Sequence, residues 1–210
     1  MPVTCSAGYI AEMNALEFRF QTGSLSTDLV ATVGRRLAGG LERLTSTTRL
    51  TDWLTEAELL EAGPVAASSE RRQVVGTELR QAQELREATY RLMLSRITGQ
   101  PATAADCRVL NGWARKRRPP PQLREDGSLA PQRAATDDVA MALGVIARDA
   151  IDVLTGDRAQ YLRACEAGDC GMLYLDHSQG RTRRWCSMKE CGNRAKVAAH
   201  RARQREGATS

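Results

Sequence analysis

Two cysteine pairs of equal spacing, Cys165/Cys170 and Cys186/Cys191, stand near the end of the chain with fifteen residues between them. Each pair encloses four residues. Short cysteine pairs repeated after a connector of roughly fifteen to twenty residues are the usual sequence form of a tetrahedral Zn²⁺ site. Two disulfides are the competing reading, but they need an oxidising compartment. Residues Met1 to Phe18 carry no basic stretch followed by an apolar core, which sets the expectation of a cytoplasmic chain with reduced thiols. Cys165, Cys170, Cys186 and Cys191 are therefore the candidate ligands of one Zn²⁺. His177 and His200 have no matching spacing, and Cys5 and Cys107 read as unligated thiols.

The residues around the cysteines suggest a small folded module. Met172 to Leu175 alternates and is β-prone, Asp176 to Gly180 is turn-rich, and Arg183 to Cys186 reads as a return strand completing a hairpin. Ala195 to Arg205 contains good helix formers, so the second cysteine pair falls at a helix start, where the helix dipole favours thiolates. Knuckle, hairpin and helix make a treble-clef-like finger.

Charge divides the chain in the same place. Residues 158–210 hold 11 Lys+Arg and 5 Asp+Glu, a net of +6, whereas residues 1–157 hold 19 and 20, a net of −1. The expected domains are accordingly a helical 1–157 and a finger over 158–210. A positive face on a small zinc module is the footprint of phosphate contact, which points to double-stranded DNA. Arg181, Arg183 and Arg184 are candidate phosphate contacts, and Arg194, Lys196, His200, Arg201 and Arg203 are candidates to present one helical face. Two other readings compete. Zinc held by four thiolates carries about −2, so cations can serve to neutralise it, and 27 Arg against 3 Lys makes the whole chain arginine-rich.

Arg183-Arg184-Trp185-Cys186-Ser187-Met188, followed by Cys191-Gly192-Asn193-Arg194-Ala195-Lys196, resembles the CGNR zinc-finger family. Leu173-Tyr174-Leu175-Asp176-His177-Ser178 supplies that family's strand segment, with Tyr174 where Phe is frequent. The family pairs its finger with an N-terminal helical domain of the ABATE type in proteins regarded as bacterial stress-induced transcription regulators. The resemblance implies a zinc-dependent DNA-binding module preceded by a ligand-sensing or association domain.

The upstream region reads as mainly α with one short β-hairpin. Leu16 to Phe20 alternates like a short strand. From Thr27 or Asp28, Leu29, Val30, Val33, Leu37 and Leu41 form a helical stripe, weakened by Gly39-Gly40. Ser26 to Thr32 is similar to the family's entry motif, with Ala31 where that motif has Asn. The similarity implies Asp28 and Thr32 as ligand-binding positions, beside the capping and packing roles that their residue types suggest. Trp53 reads as a core anchor, and Thr55 with Glu58 as a capping box. Helices are expected from Ser69 to Thr98, from a Thr103 cap past Cys107 and Leu110, and from Thr136 to Thr155. Arg115 to Pro121 ends the second of these as a solvated loop, and Asp126-Gly127 marks the hairpin turn.

No nucleophile elbow, phosphate-binding glycine loop or zinc-protease motif occurs, and four cysteines leave no open position on zinc, so the chain reads as a non-enzyme. No apolar run approaches the ~20 residues that span a bilayer. The rivals to DNA binding are a zinc-stabilised protein- or RNA-interaction module and a thiol redox sensor. A homodimer is plausible because one finger reads few base pairs.

Overall fold

A computed structural model describes residues 17–60, 74–117, 122–128 and 138–207. The described chain is mainly helical and falls into two compact units, one comprising residues 44–159 and the other residues 1–43 with 160–210. The family of elements in the second unit thus draws on both ends of the chain.

In the unit of residues 44–159, helix α2 (Thr47–Glu56) starts at Ser46, whose hydroxyl accepts from the Arg49 N–H at 3.2 Å. It buries Leu50, Trp53 and Leu54 completely, as expected of Trp53. Thr55 and Glu58 do not cap a new helix. Thr55 lies in the last turn of α2, where its hydroxyl donates to the Thr51 carbonyl, and Glu58 adopts φ +57 beyond the helix end. Helix α3 (Gly76–Thr98) begins where the Glu78 carboxylate accepts from the Val75 N–H at 2.9 Å, and Gly99 at φ +69 ends it. Ser69 lies outside the described residues. Helix α4 (Ala104–Ala114) is capped by Thr103 as expected, and α5 (Asp138–Thr155) is followed by Gly156. Thr136 lies outside the described residues.

Helices α3, α4 and α5 pack on one another. Their core is Ala82, Leu85, Ala88, Leu92, Met93, Leu110, Leu143, Ile146, Ala147 and Ala150. A glycine at position 144 permits the closest approach, since a Cβ there would stand 2.3 Å from the Lys116 carbonyl oxygen. The Arg91 guanidinium pairs with Asp106 at 2.5 Å and ties α3 to α4. Arg124 and Ser128 close the turn at Asp126-Gly127, and no strand is assigned beside it among the described residues.

In the other unit, Ser24 rather than Thr27 or Asp28 caps α1 (Leu25–Val30), exchanging hydrogen bonds with Thr27. The helix ends there. The stripe that continues through Val33, Leu37 and Leu41 folds instead as an antiparallel hairpin, β1 (Val33–Gly34) with β2 (Leu41–Glu42), and Leu37 is 63% exposed at its tip. Arg35 at φ +47, Gly39 at +88 and Gly40 at +71 make the reversal, conformations that a helix cannot contain. Residues 17–20 are irregular rather than a strand. The short β-hairpin of the upstream region is this one.

A second antiparallel pair, β3 (Leu162–Ala164) with β4 (Leu173–Leu175), follows a 3₁₀ turn at Asp157–Tyr161. Its partner strand differs from the expected one: β4 pairs backward with β3, not forward with Arg183 to Cys186, which is irregular. A π turn (Met188–Gly192) then leads directly into α6 (Asn193–Gly207).

Candidate metal centre

The β3–β4 register, Leu162 with Leu175 and Ala164 with Leu173, leaves Cys165 to Met172 as the loop of the hairpin. That loop is the first knuckle. The Cys165 N–H donates to the Met172 carbonyl at 2.8 Å and the Cys170 N–H to the Ala167 carbonyl at 2.9 Å, so both sulfurs face one side. Gly171 at φ +66 carries the chain into β4. The second knuckle is the π turn. Ser187 caps it by accepting from the Glu190 N–H, and the Gly192 N–H returns to the Ser187 carbonyl at 2.9 Å.

The four sulfurs of Cys165, Cys170, Cys186 and Cys191 lie within 4.8 Å of one another, and all four residues are buried. Neighbouring sulfurs stand 3.6 Å (Cys170–Cys186) and 3.5 Å (Cys186–Cys191) apart. A disulfide needs about 2.05 Å, whereas Zn–S bonds of about 2.3 Å in a tetrahedron place sulfurs about 3.8 Å apart. The cluster fits Zn²⁺ and not disulfides.

Its electrostatics agree. Without a cation, hydrogen bonds from Cys170 and Cys186 hold the Cys165 thiol far below its usual range, and that anion together with burial pushes the Cys170 and Cys186 thiols up. Zinc ligation requires thiolates, and a divalent cation offsets the charge that several of them bring together.

Each residue of the Cys191-Gly192-Asn193-Arg194 segment has a physical task. Cys191 is a ligand. A Cβ at Gly192 would stand 2.9 Å from the Met188 sulfur. The Asn193 side-chain amide donates to the Lys189 carbonyl at 3.0 Å and fastens α6 to the π turn. The Arg194 guanidinium reaches both the Cys191 sulfur (3.3 Å) and Asp169 (3.1 Å), bridging the two knuckles.

Around the centre, Asp176 is fully buried and accepts from the Ser178 hydroxyl (2.6 Å), the Ser178 N–H (2.9 Å) and the Arg183 N–H (3.0 Å). Burial works to raise its pKa, and these hydrogen bonds outweigh it, so the carboxyl is held below the usual range. Tyr174 is fully buried, and its hydroxyl donates to the Arg183 carbonyl at 2.6 Å. Burial pushes that phenol up.

The candidate DNA contacts separate into distinct environments. Arg183 turns inward: its guanidinium lies 4.6 Å over the Tyr174 ring and donates to the carbonyls of Trp185 and Cys186. Arg181 lies 4.3 Å over the Tyr161 ring and bonds the Gln160 side chain. Arg184 pairs with Glu166 at 2.6 Å. Lys196, His200, Arg201 and Arg203 are exposed on α6. At about 100° per residue these side chains do not share one face. Lys196, His200 and Arg203 fall together on one side, and Arg194 and Arg201 on the opposite side.

Asp28 and Thr32 have internal partners. Asp28 accepts from the Thr22 hydroxyl (2.7 Å) and N–H (3.0 Å), and the Thr32 hydroxyl donates to the Leu29 carbonyl.

Sequence reasoning missed a groove of about 880 Å³ between the β1–β2 hairpin and α6, bordered by Cys170 and Cys191 of the metal centre. No local sequence pattern marks it, because Gly34, Arg35 and Arg43 lie more than a hundred residues from the cysteines they approach.

The ABATE family, described as putative stress-induced transcription regulators, matches residues 23–157. The CGNR zinc finger matches residues 161–204. No curated protein matches the chain. No helix of the described residues is long and apolar enough to cross a membrane. With the family match covering more than half of its length and the Zn²⁺-fitting cysteine centre at its end, this chain belongs to the ABATE family and carries a C-terminal CGNR zinc finger.

Proposed function

We propose that the chain is a non-enzymatic, zinc-dependent transcriptional regulator that binds double-stranded DNA through α6. The observation that carries this reading is a fifteen-residue helix, largely exposed and rich in cations, whose first turn is built into the metal centre by Cys191, Asn193 and Arg194. A helix this exposed has little packing of its own to hold it, so its orientation depends on that root. Lys196, His200 and Arg203 on one side suit the major groove and its flanking phosphates, whereas Arg181 and Arg184 are held by Gln160 and Glu166. Arg183 is better used as an internal brace. The four thiolates close the zinc, which supports a structural rather than catalytic metal. A homodimer would bring two such helices to adjacent half-sites.

The test is selection from random duplex DNA by the zinc-replete chain, repeated with Lys196→Ala/Arg203→Ala. An enriched motif lost in the variant is expected. A folded, zinc-loaded chain that enriches no duplex, or only single strands, would contradict the reading.

A further inference from the structure

Three carboxylates and six cations line the groove beside the metal centre. The carboxylates are all engaged: Asp169 with Arg194 at 3.1 Å and Arg35 at 3.7 Å, Glu190 with Arg19 at 2.6 Å, and Glu166 with Arg184 at 2.6 Å. The lining therefore carries a positive excess. Between the charged walls lies apolar surface from Leu41, Ala167, Met172, Val197 and Ala198. At about 880 Å³ the groove falls within the roughly 300–1,000 Å³ of small-molecule sites, which combine apolar walls with a few convergent polar groups.

We propose that this groove binds a small organic anion, a carboxylate or phosphate carried on an apolar or aromatic body. Arg35 and Arg201 contact its charge from opposite walls, and Leu41, Met172 and Val197 contact its body. Several features favour this occupant over the phosphate backbone of a duplex. The site is concave and part apolar, which suits a compact organic body rather than a continuous run of phosphates. Arg35 comes from the β1–β2 hairpin at φ +47, a region that non-glycine residues enter mainly at functional sites and tight turns. The Arg43 guanidinium, 2% exposed, forms part of the same wall and donates to the Ala31 carbonyl, which fixes it in place. The groove face of α6 is the one holding Arg194 and Arg201, so the Lys196/His200/Arg203 face remains outside it.

Anilinonaphthalene sulfonate, an anion on an aromatic body, is a suitable fluorescent probe for the full-length, zinc-loaded chain. One dye per chain is expected. Affinity should fall about tenfold in Arg35→Gln and in Arg201→Gln, the scale of one charge-assisted hydrogen bond. Lys196→Gln, on the other face, should bind as the parent does. Only variants that retain one zinc per chain and the parent's circular dichroism are compared. Neutral N-phenylnaphthylamine should bind at least tenfold more weakly, and benzoate or phenyl phosphate should displace the dye, their relative strength naming the head group. Equal binding of the neutral dye, or unchanged affinity in both arginine variants, would overturn the proposal. So would displacement by random duplex DNA from the parent and from Lys196→Gln/Arg203→Gln alike, which would assign the groove to nucleic acid. The dye measurement needs no DNA, so it stands or falls separately from the regulator reading.

Discussion

The backbone N–H of Arg36 donates to the carbonyl of Cys170, a zinc-site cysteine, at 2.9 Å. The Leu175 N–H likewise donates to the Thr22 carbonyl at 2.7 Å, and Ala31 is buried against the four cysteines and Tyr174. A finger of about fifty residues buries little by itself, and here the chain's other end completes its core. Removing Zn²⁺ is therefore expected to raise hydrogen exchange at Arg36 and Leu175 together, while amides of α3 keep their protection. A zinc-loaded fragment of residues 158–210 should be less ordered than the same residues in the full chain. Equal order in the two would show that residues 17–43 contribute nothing.

Gly171 and Gly168 sit in one knuckle and should respond unequally. A Cβ at Gly171 would stand 2.9 Å from the Arg36 Cβ on a backbone at φ +66, whereas one at Gly168 meets nothing within 4 Å. Gly171→Ala should cost about 1–3 kcal/mol, and Gly168→Ala less than about 0.5 kcal/mol, by chemical denaturation of the zinc-loaded protein.

Arg194 spans the Cys191 sulfur and Asp169. Groups that orient metal ligands typically contribute 10–100-fold in affinity. Arg194→Gln is expected to weaken zinc binding about tenfold in a chromophoric-chelator competition, with Arg194→Lys intermediate because it keeps the charge but loses the fork.

The legible part of this protein was the part whose chemistry is local. Equal cysteine spacings and the Cys191-Gly192-Asn193-Arg194 run located the ligands, and Gly99 and Thr103 located helix ends, because ligation and capping depend on neighbours in sequence. The β1–β2 hairpin was not legible: Val33, Leu37 and Leu41 fit a four-residue repeat, and the turn depends on positive φ at Arg35, which no side-chain pattern reports. The pairing of β4 with β3 rather than with Arg183 to Cys186 was hidden because both neighbours are short and β-prone. Arg183 looked like its neighbours in charge, and only the buried Tyr174 ring and the carbonyls of Trp185 and Cys186 show that it points inward. The docking of residues 17–43 on the finger is a tertiary choice with no local signature.

In the helical unit, Asp106 gives a pH dependence free of metal chemistry. The hydrogen bond from Arg91 is the largest influence on its carboxyl and holds it below the usual range against the opposing effect of burial. A depressed folded-state pKa means stability that is fully present above the ordinary value of about 3.9 and lost as pH falls through the lowered one. Asp106→Asn should cost about 1.5–3 kcal/mol at neutral pH. The gap between variant and parent should narrow as the pH drops below about 4. A constant gap across that range would assign the cost to packing instead.

The proposed function makes DNA binding by α6 depend on the four-cysteine zinc centre at its root. Its most direct test is a titration of Zn²⁺ into the reduced, metal-free chain, with duplex binding and zinc occupancy followed together on DNA enriched by the full chain. DNA affinity is expected to rise in step with occupancy and to saturate at one zinc per chain. Undiminished duplex binding by protein shown to be zinc-free would contradict it.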